Sequence, residues 1–369
     1  MENHDLQFIK GYFASYQNIL SRTDIFDDLH SFADICRQVK AGGRKLIFVG
    51  NGASASISSH AAMEFTQHAG VRATCFNDHN LITCFANDYG YEHWVARALE
   101  AYADSGDVVV LISSSGCSPN IVNAAHYARA RGLLVVTFSG FSADNPLRAF
   151  GTPSFWVDSR AYNIVESTHM IWVLAVANLL EQNGNEVFLV EHIERQRRSL
   201  FEIDYSEELI QFRDLCLAVS DRGGKMIFAG NGGSASTASH AAVDFTKQSK
   251  IRAVAFNDHS LMSAYSNDYG QERWIAQCVK DFADAEDAVV LLSCSGESRN
   301  IVNAATCAKG RALPVVTFTG APGNSVASAG QINFWVDSNN YNITEAVHSV
   351  LIFCVGDMLA TCSRYENLP

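Results

Sequence analysis

The 369-residue chain is poor in charged residues, and those it has are mostly acidic. Asp, Glu, Lys and Arg make up only 18% of the sequence, whereas 48% is hydrophobic. This balance disfavours a disordered chain and favours a sizeable core. Asp and Glu outnumber Lys and Arg by 39 to 27, a formal net charge of −12. Electrostatic binding of nucleic acid needs a basic surface, so we expect no nucleic-acid partner.

Three further absences concern the cellular environment. No uninterrupted run of 18 apolar residues occurs, so we expect no membrane partner. The first residues lack a basic segment followed by an apolar run, which disfavours a secretory signal. The ten cysteines stand singly without a CxxC pair, a pattern that predicts buried, reduced thiols rather than disulfides or a zinc knuckle. Together these features predict a cytoplasmic protein.

The dominant positive feature is an internal repeat. KLIFVGNGASASISSHAAMEF at 45–65 recurs as KMIFAGNGGSASTASHAAVDF at 225–245, and LISSSGCSPNIVNAA at 111–125 recurs as LLSCSGESRNIVNAA at 291–305. The repeat is too long for a solenoid and indicates two whole domains, which we place at 1–183 and 184–369. The mixed acidic and basic segment at 186–199 predicts a solvated connecting helix; a nucleic-acid patch is the alternative.

Each unit alternates helical patterns with short apolar runs. In the first unit the predicted strands lie at 45–49, 72–76, 107–113, 133–139 and 153–158, and the predicted helices at 5–40, 54–68, 118–131 and 162–181. Near-continuous apolar runs are typical of strands that are covered on both faces. The sequence therefore predicts an α/β fold in which each domain is a doubly wound, five-stranded parallel sheet with helices on both faces.

Two loops rich in glycine or serine follow predicted strands, where open α/β sheets bind ligands. Gly50-Asn51-Gly52 precedes a helix, so backbone N–H groups there can meet a ligand; a tight strand-to-helix turn is the alternative. Hydroxyls clustered at the next helix start predict a phosphate cradle, although Ser118 could merely cap that helix. The hydroxyl cluster comprises Ser113, Ser115 and Ser118, repeated as Ser293, Ser295 and Ser298. Glu297 adds a negative charge to the second cluster.

A third loop is predicted at Asn87-Asp88-Tyr89-Gly90, with its copy around Asp268, and is interpreted either as a plain turn or as a contact for sugar hydroxyls. Two pairs of histidine and carboxylate lie on predicted helices: His60 with Glu64, and Glu166 with His169. Their spacings put each pair on one helix face, as a metal site or an acid/base pair requires. The copies are His240 with Asp244, and Glu345 with His348. A buried polar pair is the alternative.

The combined motifs GNGxSAxxxxHxAxxF, NDYGxE, SxSGxSxN and a final ExxH helix resemble the SIS (sugar isomerase) family, and within it the phosphoheptose isomerase type. The resemblance covers nearly the whole chain, twice over. It implies aldose–ketose isomerisation of a heptose phosphate through an enediol, with phosphate bound by the serine clusters. It also implies substrate contacts at Asn51, Ser54 and Asp88, with copies at Asn231, Ser234 and Asp268.

The resemblance further assigns chemistry to the helix pairs. It makes Glu64 the catalytic carboxylate, with Asp244 as its copy, and matches Glu166 and Glu345 to a family Gln or Glu. His60 with Glu64, and His240 with Asp244, resemble half of a zinc site found in some members. Related chains assemble so that neighbouring subunits complete each site, which predicts a homodimer of this fused chain.

Two departures from the family pattern limit this expectation. The family usually has a histidine eight residues after the last Gln or Glu, where this chain has Leu174 and Phe353. The second copy also shortens its carboxylate to Asp244. The sequence therefore predicts a phosphosugar isomerase that is active in the first domain alone or in both domains. The alternative is a non-catalytic phosphosugar-binding or regulatory protein.

Overall fold

The computed structural model describes residues 2–365, with side chains for 4–361. The chain forms two compact units, one of residues 15–195 and one that joins residues 1–14 to 196–369. We call them the first and the second domain. The domain boundary was predicted after residue 183, but the first of these units continues to residue 195.

The first domain has a parallel sheet with strand order β2-β1-β3-β4-β5. Its strands are β1 (Leu46–Gly50), β2 (Ala73–Cys75), β3 (Val108–Ser113), β4 (Leu134–Ser139) and β5 (Ser154–Trp156). The first seven helices of the chain are α1 (Glu2–Leu20), α2 (Ile25–Ala41), α3 (Ala53–Gln67), α4 (His79–Tyr89), α5 (Trp94–Tyr102), α6 (Pro119–Ala130) and α7 (Tyr162–Glu181). The predicted α/β fold with parallel, five-stranded sheets is confirmed.

Apolar residues cover both faces of this sheet. Ile47 and Val109 on one face join a buried cluster with Trp94 of α5 and Ile121 of α6. On the opposite face the Phe48 ring lies 5.3 Å from the ring of Phe65 on α3. This burial on both faces explains why the sequence of the strands is nearly continuously apolar.

The second domain repeats the same strand order as β7-β6-β8-β9-β10. Its strands are β6 (Met226–Ala229), β7 (Ala253–Ala255), β8 (Ala288–Ser293), β9 (Val315–Thr319) and β10 (Ile332–Trp335). The remaining helices are α8 (Glu186–Phe201), α9 (Ser206–Asp221), α10 (Gly233–Lys247), α11 (His259–Tyr269), α12 (Trp274–Phe282), α13 (Arg299–Gly310) and α14 (Tyr341–Tyr365).

Two helices are long and apolar enough to cross a membrane by length and composition: α7, and α14 over Tyr341–Thr361. In each, 94% of the most apolar stretch is buried within the protein. Helix α7 packs against α3, and α14 packs against α10. Their apolar composition is therefore that of core helices.

The cysteine prediction is only partly correct. All nine cysteines whose side chains the structure describes are free thiols, as expected. Cys84 and Cys117, however, are exposed, and Cys75 and Cys307 are half-buried, so the predicted burial is wrong for these four. They lie on α4, in the loop before α6, on the short strand β2 and on α13. The side chain of Cys362 lies outside the described residues.

Candidate functional site

The serine cluster of the first domain lies between the end of β3 and the start of α6. Ser113 Oγ is 3.1 Å from Ser118 Oγ, and Ser115 Oγ accepts a hydrogen bond from the backbone N–H of Cys117 at 3.2 Å. Ser118 stands at the N-cap of α6, yet its side chain makes no capping hydrogen bond. The capping alternative therefore does not explain this serine, and three hydroxyls converge at a helix N-terminus.

A buried asparagine that the sequence analysis missed fixes this loop. Gly116 has a φ of +65°, and a Cβ there would lie 1.9 Å from Asn145 Oδ1. Asn145 Nδ2 donates to the carbonyls of Gly140 and Ser142 at 3.1 and 2.8 Å. Only glycine fits this conformation and this close approach. No spacing rule linked Asn145 to the serine motif, because the contact joins two separate loops.

The second serine loop has the same layout with one addition. Ser293 Oγ donates to Ser298 Oγ at 3.4 Å, and the backbone N–H of Ser325 donates to Glu297 Oε1 at 2.7 Å. Ser325 Oγ donates to Glu297 Oε2 at 2.8 Å. These hydrogen bonds lower the pKa of Glu297. The carboxylate is thus held ionised at Ser325, and Ser295 accepts from the backbone of Glu297 just as Ser115 does from Cys117.

The glycine loop is tied to the serine loop by a pair of amides. Asn51 Nδ2 donates to Asn120 Oδ1 at 2.9 Å, and Asn120 Nδ2 donates back to Asn51 Oδ1 at 2.8 Å. Asn120 lies in the first turn of α6, two residues after Ser118. Asn231 and Asn300 make the same exchange at 3.0 and 2.7 Å. The structure therefore brings the two predicted loops together through Asn120 and Asn300, to which the sequence analysis gave no role.

Each domain buries one glutamate of its last helix near these loops, but with different partners. Ser114 Oγ donates to Glu166 Oε1 at 2.7 Å. In the second domain Cys294 occupies the position of Ser114. Glu345 Oε1 instead accepts from the backbone N–H and the Oγ of Ser234 at 2.9 and 3.2 Å. Burial, with Glu345 nearby, raises the pKa of the Cys294 thiol well above its usual value. Ser54, the first-domain copy of Ser234, is likewise buried.

The His60 and Glu64 pair is buried on α3, and its copy is buried on α10. His240 Nε2 lies 3.3 Å from Asp244 Oδ2. The His240 ring centroid is only 3.9 Å from that of Phe353. The residue that replaces the expected family histidine thus packs directly on the second-domain imidazole. Leu174, its first-domain counterpart, is also buried.

His169 and His348 are core histidines. His169 Nε2 lies 3.0 Å from the carbonyl oxygen of Ser139, and its ring packs edge-on against Phe138 at 5.6 Å. Burial lowers the pKa of His169 to about 4, and that of His348 likewise to about 4. Both imidazoles are therefore neutral at neutral pH. The buried-polar alternative describes them better than a catalytic pair.

Asp88 and Asp268 do not lie in loops after strands, so that expectation is wrong. They stand exposed in the last turns of α4 and α11, each accepting a hydrogen bond from the preceding asparagine side chain. Gly90, with a φ of +85°, follows as the helix C-cap. The cluster of turn-forming residues marks a helix end, which the sequence analysis mistook for a strand-end loop.

The predicted metal ligands form an incomplete set within one domain. His60 with Glu64, or His240 with Asp244, supplies one imidazole and one carboxylate. Zinc in proteins takes three or four protein ligands, so neither pair holds the ion by itself. Phe353 also covers one face of His240. Zinc binding stays a prediction from the resemblance, and no chemical step below depends on it.

Comparison with known proteins identifies the family. A model of the SIS domain matches residues 11–140 and, a second time, residues 191–320. The chain belongs to the SIS domain family. Both SIS matches include the glycine and serine loops just described, and both end before the last helix that carries Glu166 or Glu345.

The relatives of this SIS protein include phosphoheptose isomerases. That of Burkholderia pseudomallei (strain K96243) is 35% identical over 150 residues, which are 38% of this chain and 76% of the relative. That of Akkermansia muciniphila is 31% identical over 171 residues, 45% of this chain and 90% of the relative. Each such relative therefore corresponds to one copy of the repeat.

The tandem arrangement has its own structural neighbours. The C-terminal domain of glucosamine-fructose-6-phosphate aminotransferase from Francisella tularensis matches with a TM-score of 0.67 at 14% identity. The match covers 96% of this chain and 94% of that one. At this identity the likeness shows the fold alone.

Proposed function

We propose that the chain is a sugar-phosphate isomerase of the phosphoheptose type whose first domain carries the catalysis. One observation carries this proposal: the serine loop that gathers Ser113, Ser115 and Ser118 also hydrogen-bonds the buried carboxylate of Glu166 through Ser114. A serine loop that can bind an anion is thus hydrogen-bonded to a buried candidate acid/base group of the same domain. The identity of the relatives supports the same chemistry.

Binding of the phosphate uses neutral donors. The hydroxyls of the serine loop and the N-terminus of α6 both favour an anion, because the helix dipole puts partial positive charge there. Asn51, which is hydrogen-bonded to Asn120 in the first turn of α6, and Ser54, in the first turn of α3, would take sugar hydroxyls. Phosphate held away from the reacting carbons supplies binding energy that orients C1 and C2.

The reaction is a proton transfer between two carbons. Starting from the ketose, a base removes a proton from C1 while the C2 carbonyl oxygen gains one, which gives the enediol. The proton then returns to C2, and the C1 hydroxyl loses its proton to become the aldehyde. We assign the carbon-bound proton to Glu64 and the oxygen-bound proton to Glu166. These residues lie on α3 and α7, which pack against each other.

The second candidate is a phosphosugar-binding or regulatory protein without turnover. Phe353 packed on His240 favours it for the second domain, since an apolar ring cannot move protons. Leu174 is the corresponding argument in the first domain. Both candidate functions use the serine cradle to bind phosphate, so a binding measurement alone does not distinguish between them.

The deciding experiment is NMR of the protein with sedoheptulose 7-phosphate in D₂O. Deuterium entering at C1, or formation of an aldose, supports the isomerase, and E64Q should abolish it. Absence of exchange at high protein concentration, with calorimetric binding of the same sugar phosphate retained, would replace the isomerase by the binding protein.

Assembly and location are part of the same proposal. We infer a cytoplasmic homodimer, by analogy with subunits that complete each other's sites in this family. Sizing with light scattering would report the mass of two chains, and a monomer at micromolar concentration would remove this part of the proposal.

A further inference from the structure

The second domain holds a cavity of about 520 Å³ that the proposed reaction does not use. It lies among the end of α11, helix α12 and helix α13. Charged and aromatic side chains make up half of its lining residues: Asp268, Tyr269, Arg273, Lys280 and Arg311. The serine loop at 293–298 does not contribute to this lining. Asp268 is the one predicted substrate contact that borders it.

The cavity wall is positively charged although the chain as a whole is acidic. Arg273 Nε donates to the backbone carbonyl of Tyr269 at 3.0 Å, which directs the guanidinium along the wall. Within the described part of the chain, neither Arg273 nor Lys280 has a carboxylate within 4.0 Å. Arg311 donates to the carbonyls of Val279 and Ala283, so its charge lies at the C-terminus of α12. Three cations therefore face one aspartate.

The first domain shows that this charge is not imposed by the fold. The positions of Arg273, Gln277 and Lys280 correspond to His93, Arg97 and Glu100. There, Arg97 pairs with Glu100 at 2.7 Å and lies over the Tyr89 ring. In the second domain Gln277 donates to Asp281 instead, and Lys280 has no carboxylate within 4.0 Å among the residues that the structure describes. An internally neutral surface has been replaced by one with two unpaired cations.

The size and the lining restrict the ligand. About 520 Å³ lies within the usual range for small-molecule sites and exceeds what inorganic phosphate needs. Tyr269 is 40% exposed, so part of its ring is accessible for contact with a planar group. We propose that this cavity binds a nucleoside phosphate, with the phosphates against Arg273 and Lys280 and the base against Tyr269.

The test is isothermal titration calorimetry of the full chain with ADP. The key variant is R273H/K280E, which installs the first-domain residues and should therefore fold. We expect one ADP per chain for the wild type and at least tenfold weaker binding for this variant. The control variant K10E makes the same Lys-to-Glu change at another position of the same domain, and it should bind ADP like the wild type. Y269L should weaken ADP but leave pyrophosphate unchanged.

Two results would overturn the proposal. One is no ADP binding at millimolar concentration; the other is equal ADP affinity in the wild type and R273H/K280E. A serine-loop variant, S293A/S298A, distinguishes the two sites. If this variant loses ADP binding and R273H/K280E keeps it, the nucleotide binds at the sugar-phosphate cradle and the cavity proposal is refuted. Deuterium exchange into the sugar phosphate is measured on the same variants, so failure of this inference leaves the isomerase proposal standing.

Discussion

The two domains share one backbone plan but surround the same glutamate differently. Glu166 accepts a hydrogen bond from Ser114 of the serine loop, whereas Glu345 accepts two from Ser234 at the start of α10. At the position of the Ser114 hydroxyl the second domain has the Cys294 thiol, which is a weaker donor. Duplication has thus preserved the cradle that binds while changing the contact that would position an acid/base group.

The comparison extends to the second carboxylate. Glu64 has become Asp244, which places its carboxyl one methylene closer to the backbone, and Phe353 packs on the adjacent His240. The changes from Ser114 to Cys294 and from Glu64 to Asp244 both give the second domain a less polar or shorter group. The duplicated serine and asparagine contacts show no such trend.

The largest expected effect is a difference in exchange rate between variants of Glu64 and of its second-domain copy, Asp244. E64Q should lower the rate of deuterium exchange into sedoheptulose 7-phosphate by about a hundredfold or more, since a positioned general base contributes on that scale. D244N, the matched change in the second domain, should lower it less than twofold. NMR exchange rates check both, with circular dichroism to establish folding. Equal losses would mean that both domains are catalytic.

A second prediction concerns a feature that the copies keep unchanged. His169 and His348 are buried with pKa values of about 4, below the ordinary 6.5 of the unfolded chain. The unfolded state therefore binds more protons between pH 6.5 and 4, so stability should fall as the pH is lowered through this window and be unaffected by these groups above it. Each group contributes about 3 kcal/mol at most.

The check is the melting temperature against pH for H169Q and H348Q. Each should flatten the decline between pH 6.5 and 4 by a similar amount, whatever it does to stability at neutral pH. His192, with a pKa also lowered to about 4 by burial, keeps part of the slope in both variants. An unchanged slope would contradict burial of a neutral imidazole.

A third prediction exchanges the atom that distinguishes the domains. S114C should lower kcat about tenfold with little change in KM, because a hydrogen bond to a charged group contributes about 1.5–3 kcal/mol. The copy C294S is the control and should change turnover less than twofold. Cysteine already occupies this site in the second domain, so S114C should fold. A rise in KM without loss of kcat would assign Ser114 to binding instead.

The sequence predicted the fold better than the site. All five strands of the first sheet were predicted, and the signal is strongest for β1, β3 and β4, whose residues are almost all buried. Helix α4 was missed because Asn87, Asp88 and Gly90 are typical of turns, although they mark a helix end here. Asn120 and Asn145 were missed because their partners come from other loops, and only the folded chain brings them together.

The smallest expected effect tests whether the second serine cradle still binds a sugar phosphate. Glu297 adds a negative charge to the second serine loop, but its carboxylate accepts two hydrogen bonds from Ser325, which hold it there. E297Q should therefore change sugar-phosphate affinity at the second domain less than twofold in calorimetry on an S113A/S115A background, where the first cradle is weakened. C117E adds the same charge to the first serine loop, where no serine corresponding to Ser325 is identified to hold it. It should therefore weaken sugar-phosphate binding at the first domain by more than E297Q changes it at the second. A strong gain of affinity in E297Q would mean that the carboxylate faces the phosphate and that the second cradle has diverged along with its acid/base groups.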